Sequence, residues 1–107
     1  MIIAEAGVNH NGRMDLAKRL VDAASTAGAD FVKFQAFKAE HLVTHSLDKA
    51  NYQRKSGKPS ESQYAMLKKL ELSQDELTEL FIYCSKKKIG FMASAFDEVS
   101  LRFILNM

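Results

Sequence analysis

Glu5, Lys33, Gln35 and Ser94 are polar residues set inside three short apolar runs of a 107-residue chain. The runs are Ile2 to Ala6, Phe31 to Phe37 and Ile89 to Phe96, each of strand length. Side chains alternate between the two faces of a strand. Ile3 therefore shares a face with Glu5, Phe31 with Lys33 and Gln35, and Met92 with Ser94, while Val32 and Phe34 take the other face. One face turns polar near the carboxyl end of every strand, which is where α/β folds build their sites. A carboxylate, an ammonium, an amide and a hydroxyl gathered there can hold an anion, orient a polar substrate and move a proton. Glu5 and Lys33 have a second reading as a buried ion pair joining adjacent strands, because a lone buried charge is costly. The two readings are compatible, since a paired lysine still binds an anion.

Other candidates are weaker. Asn9-His10-Asn11-Gly12 follows the first run, and Asn and Gly there suit a turn and a helix start. His10 adds a titratable ring to that turn. His41 and His45 are spaced i, i+4, but their segment has no helical stripe and a zinc site needs more ligands, so no metal site is assigned. Cys84 falls on the apolar stripe of a helix and reads as inert core. Lys86-Lys87-Lys88 reads as a solvated helix end whose cations suit the dipole, rather than as a nucleic-acid patch.

The elements that must position these groups follow from periodicity. Apolar residues at Ala17, Leu20, Val21, Ala24 and Ala27 predict a helix from Arg13, with Gly28 as its C-terminal glycine. Lys38 to Ser60 reads as a long polar connection. Within it Lys49, Arg54, Lys55 and Lys58 are expected to be solvated charges, with an anion contact as the alternative. Ser62 to Leu72 predicts a short helix with Tyr64, Leu67 and Leu70 on one side. Ser73 and Glu76 form a capping-box signature ahead of Leu77, Leu80, Phe81 and Cys84. Asp97 to Met107 reads as helix to the last residue, without a cap. Strand, helix, strand, helix pair, strand, helix argues for a parallel sheet with crossover helices. Either a doubly wound sheet or part of a (β/α)₈ barrel fits. A whole barrel takes about 250 residues, so on the barrel reading residues 1–107, a single domain, hold only the first three of eight βα units.

Lys plus Arg number 15 and Asp plus Glu 13, giving a formal net charge of +2. That balance, with 47% apolar residues, describes an ordinary globular domain and argues against a nucleic-acid partner. No apolar run approaches a membrane span, and no basic stretch precedes the N-terminal apolar residues as in a signal peptide. One cysteine allows no intramolecular disulfide. A cytoplasmic protein is expected.

Four segments in order carry a resemblance: Ile3 to Gly12 (IAEAGVNHNG), Gly28 to Gln35 (GADFVKFQ), Gln63 to Ser73 (QYAMLKKLELS) and Phe91 to Asp97 (FMASAFD). Together they resemble the N-acetylneuraminate (sialic acid) synthases and their relatives that make legionaminic, pseudaminic and spore-coat sugars. The resemblance spans almost the whole chain. It implies the N-terminal three βα units of a (β/α)₈ barrel, followed in the family by a small antifreeze-like domain. It also implies condensation of phosphoenolpyruvate with an N-acetylated hexose such as N-acetylmannosamine. C3 of phosphoenolpyruvate attacks the open-chain aldehyde, water adds at C2, and phosphate leaves by C–O cleavage. A divalent metal, Mn²⁺ or Mg²⁺, polarises the aldehyde, with its ligands expected outside this chain. By position, Glu5 matches the catalytic first-strand glutamate, Lys33 the lysine that holds the phosphate, and Gln35 the amide that binds the sugar. Ser94 stands where many members have Thr in a Ser-Thr-Pro-Phe stretch, here Ala93-Ser94-Ala95-Phe96, and a phosphate contact is expected of its hydroxyl. Asn9 and His10 match the Asn-His pair that shapes the site. The whole enzyme is expected to be a homodimer, and this chain alone to be inactive. Two alternatives stand beside this reading. One is a Schiff-base aldolase of the sialic acid lyase type with Lys33 as nucleophile. The other is a non-catalytic binding or assembly module using open sheet edges.

Overall fold

A computed structural model describes residues 1–42 and 59–107, the side chains of residues 59–62 excepted. The expectations for His45, Lys49, Arg54, Lys55 and Lys58 lie outside the described residues. Three strands, β1 (Ile3–Gly7), β2 (Phe31–Ala36) and β3 (Gly90–Ala95), form one sheet in the order β1-β2-β3. Both pairings are parallel. The register sets Glu5 opposite Lys33 and Gln35 opposite Ser94. It therefore places all four polar residues on one face.

Burial along β2 alternates strictly, with Val32, Phe34 and Ala36 buried and Phe31, Lys33 and Gln35 only partly so. Among the described residues, helices thus cover one face of the sheet and leave the other open. A doubly wound sheet would be covered on both. Among the described residues the architecture is three successive βα units of an α/β fold with no further strand beside β1 or β3, consistent with part of a (β/α)₈ barrel.

The helices are α1 (Met14–Thr26), α2 (Pro59–Leu70), α3 (Gln74–Lys86) and α4 (Glu98–Leu105). Ala17, Val21 and Ala24 of α1 and Leu77, Leu80 and Cys84 of α3 face the sheet. With Ala6, Val32, Phe34, Ala36, Leu72 and Ile89 they form the core. Burial pushes the Cys84 thiol up to about 11, which keeps it unreactive at neutral pH. Tyr83 donates to Asp22 at 2.7 Å and Lys18 pairs with Glu79 at 2.6 Å, tying α1 to α3. Among the described residues no helix is long and apolar enough to cross a membrane.

The ends of the helices explain where they stop. Gly28 follows α1 at φ 83°, its N–H bonding the Ser25 carbonyl and that of Ala29 the Ala24 carbonyl, a Schellman motif. Lys88 repeats the motif after α3 at φ 59°, with Lys88 N–H on the Ser85 carbonyl and Ile89 N–H on that of Cys84. The Ser73–Glu76 capping box is present, both reciprocal bonds being made at 3.1 and 2.8 Å.

Four expectations need correction. α2 begins at Pro59, inside the stretch read as connection, and residues 39–42 form a helical turn there. Proline is well suited to the first helical turn, where its missing N–H has no partner to lose. α4 is capped: the Asp97 side chain accepts the Ser100 N–H at 2.7 Å, and the helix stops at Leu105. Ala27 is exposed because it is the C-cap of α1 and lies past its buried stripe. Phe81 is 41% exposed, because it lies at the outer edge of the α3 stripe, where its ring meets Phe91 edge-to-face with centroids 5.9 Å apart.

Candidate active site

The carboxyl ends of the strands carry the candidate groups because period two puts Glu5, Lys33, Gln35 and Ser94 on the uncovered face. Lys33 Nζ lies 3.2 Å from Glu5 Oε2. The side chains are 34% and 55% exposed respectively, so this is not the buried pair of the second reading. Its face is open, and in water such a pair contributes at most about 1 kcal/mol. That weak hold leaves the ammonium available to an incoming anion. Pairing is irregular between Glu5 and Gly7, which faces Phe34 after a register shift. The bulge brings the Gly7 backbone close to the tip of Gln35 and to the Glu5 carboxylate.

Two carboxylates fix the turn that follows β2. Asp97 Oδ2 accepts the Lys38 N–H at 2.6 Å and the Ser100 hydroxyl at 3.0 Å. Burial pushes the Asp97 carboxyl up, but hydrogen bonds from the Ser100 and Lys38 N–H groups outweigh it and hold it below the usual range. Glu71 accepts the Ala39 N–H at 2.9 Å and pairs with Lys38 at 3.7 Å and Lys68 at 3.4 Å. The carboxyl end of β2, where Gln35 sits, is thereby clamped from α4 on one side and from the end of α2 on the other. Sequence reasoning missed both clamps. Asp97 had a signal, an Asp three residues before Ser100 at a helix start; Glu71 had none, because its partners are backbone groups distant in sequence.

The structure does not bring every predicted residue together. Asn9 is exposed on the β1–α1 loop. His10 is fully buried and lies against Phe34, on the helix-covered side of the sheet, with ring centroids 6.0 Å apart. Its Nδ1 accepts the Gly12 N–H at 2.8 Å. Burial lowers the His10 pKa, opposed by the nearby Glu76 carboxylate. Among the described residues no three His, Cys, Asp or Glu side chains come together as a metal would require.

Residues 20–107 match the profile of the NeuB family. The N,N'-diacetyllegionaminic acid synthase of Legionella pneumophila is 50% identical over 106 residues, covering 99% of this chain and 30% of that protein. The human N-acetylneuraminate-9-phosphate synthase is 38% identical over 106 residues, covering 96% of this chain and 28% of that protein. The crystal structure of the N-acetylneuraminic acid synthetase of Leptospira borgpetersenii superposes with a TM-score of 0.76 at 32% identity, covering 98% of this chain and 32% of that one. The chain spans about 30% of the length of these curated relatives.

Proposed function

The chain belongs to the NeuB family, and from that premise we propose that it supplies the first three βα units of an enzyme condensing phosphoenolpyruvate with an N-acetylated hexose. The product is a nonulosonate of the sialic acid kind plus phosphate. One observation carries the reading: Glu5, Lys33, Gln35 and Ser94 share one face at the strand ends, with Lys33 and Glu5 3.2 Å apart.

In this reading Lys33 holds the phosphate of phosphoenolpyruvate as a point cation, and the Ser94 hydroxyl donates to a second phosphate oxygen. Gln35 presents an amide to the acceptor sugar. C3 of phosphoenolpyruvate forms the new bond to the aldehyde carbon, whose oxygen takes up a proton from solvent. Positive charge then develops at C2, where Glu5 stabilises it and takes a proton from the adding water. The C2–O bond to phosphate breaks last, as the new C2 hydroxyl gives its proton to the departing phosphate and becomes the ketone, and phosphate leaves with that oxygen against Lys33. The divalent metal, Mn²⁺ or Mg²⁺, which would supply Lewis-acid polarisation of the aldehyde, is assigned to residues outside this chain. We assign the whole enzyme a homodimeric state and this chain by itself no turnover.

The aldolase alternative needs Lys33 as a free amine. Its ion pair with Glu5 and its partly solvated setting favour the phosphate role instead. Titrating the isotope-labelled chain with phosphoenolpyruvate and following the Gln35 side-chain amide tests the assignment. The expected result is a saturable shift there that Lys33→Ala removes. A shift that survives Lys33→Ala, or covalent trapping of pyruvate at Lys33 by borohydride, overturns it.

A further inference from the structure

His10 is 0% exposed, and its two ring nitrogens have unlike surroundings. Nδ1 accepts the Gly12 N–H at 2.8 Å, so the neutral ring carries its proton on Nε2. Nε2 is buried and meets no hydrogen-bond partner among the described residues. Phe34 packs on the ring from β2. From α3, the Glu76 carboxylate acts on it through space, although its Oε1 already accepts the Ser73 N–H. Gly12, at φ 76°, is the point where the loop touches α2: a Cβ there would fall 1.7 Å from the Lys69 carbonyl oxygen. His10 thus sits behind the residue that seats the β1–α1 loop on α2.

A second proton can go only onto Nδ1. That converts the acceptor of the Gly12 N–H into a donor, so two N–H groups face each other, and it places a charge beside Phe34. Both effects push the ring out of its seat. We propose that His10 is a positioning residue: its neutral imidazole holds the β1–α1 loop against α2, and protonation of Nδ1 releases that loop, with Asn9 on it and Glu5 at its root. The role is distinct from the substrate contact that the family resemblance implies for His10. The proposal bears on the active site proposed above only because this loop borders it, and its test uses no substrate.

The experiment is nuclear magnetic resonance of the intact chain across the acid limb of the histidine range. It reads the His10 ring nitrogens and the exchange protection of the Gly12 amide. His10→Asn places Oδ1 where it can still accept the Gly12 N–H but cannot titrate; His10→Ala offers no acceptor. In the parent chain Nδ1 is expected to be unprotonated at neutral pH, and Gly12 protection to fall as it protonates. His10→Ala is expected to reduce that protection by about tenfold or more at every pH, whereas His10→Asn retains it and abolishes the pH step. A protonated Nδ1 at neutral pH, unchanged protection in His10→Ala, or a persisting pH step in His10→Asn would each overturn the proposal. Should His10→Ala fail to fold, the ring-nitrogen signals of the parent and the His10→Asn profile still decide it. None of these outcomes touches the assignment of Lys33, so the two readings fail separately.

Discussion

Replacing Gly12 by alanine separates two penalties that usually arrive together. Gly12 has φ 76° and Gly28 φ 83°, so alanine at either position enters the left-handed region at about 1–2 kcal/mol. Their surroundings differ. A Cβ on Gly28 meets nothing within 4 Å, whereas one on Gly12 lies 1.7 Å from the Lys69 carbonyl oxygen, half an ordinary contact of 3.4 Å or more. The obstacle is backbone, so no rotamer change relieves it, and the β1–α1 loop must part from the end of α2. Gly28→Ala is therefore expected to cost about 1–2 kcal/mol. Gly12→Ala is expected to cost about 3 kcal/mol or more, in the range reserved for steric disruption of packed structure. Urea unfolding followed by circular dichroism measures both, read as midpoint shifts at constant slope. Equal costs would mean that the loop does not rest on α2.

Asp97→Ala removes the cap of α4 and strands the Lys38 N–H, and is expected to cost about 2–3 kcal/mol in the same assay. Lys88→Gly relieves a left-handed non-glycine residue behind α3 and is expected to raise stability by about 0.5–1 kcal/mol, with a higher unfolding midpoint. Stability should also depend on pH with a fixed sign. His10 has a lowered pKa in the fold, so the unfolded chain binds its proton first, and stability present above the ordinary value of 6.5 is lost as pH falls below it. Asp97 is likewise lowered, so its contribution holds above 3.8 and is lost as pH falls further through its folded value. Unfolding midpoints recorded from neutral to acid pH check both, and a midpoint that rises between pH 6.5 and 5 would contradict the first.

Much of the fold and of the candidate site is legible in the sequence. The strands, the polar face and its four side chains follow from period two, and Gly28 and the Ser73–Glu76 box are local signals that do not depend on the rest of the chain. What escaped was non-local or depended on context. Glu71 holds Ala39 across 32 positions, and Asp97 holds Lys38 across 59. Alternation along a strand gives the face of Glu5 and Lys33 but not its exposure, which depends on what covers that face. His10 lies in a turn, where neither period two nor period 3.6 assigns a side, so its burial against Phe34 came only from the fold.

The proposal to be tested is that Glu5 and Lys33 serve a phosphoenolpyruvate site in the whole enzyme. Its most direct test is a chimera in which residues 1–107 replace the matching segment of the Legionella pneumophila synthase, to which they are 50% identical. Phosphate release is measured with phosphoenolpyruvate, an acetylated hexose and Mn²⁺. Release that requires both substrates is expected, with Lys33→Ala raising KM for phosphoenolpyruvate by about tenfold or more, as loss of a charge-assisted hydrogen bond demands. A folded chimera without turnover, or one whose KM ignores Lys33→Ala, would contradict it.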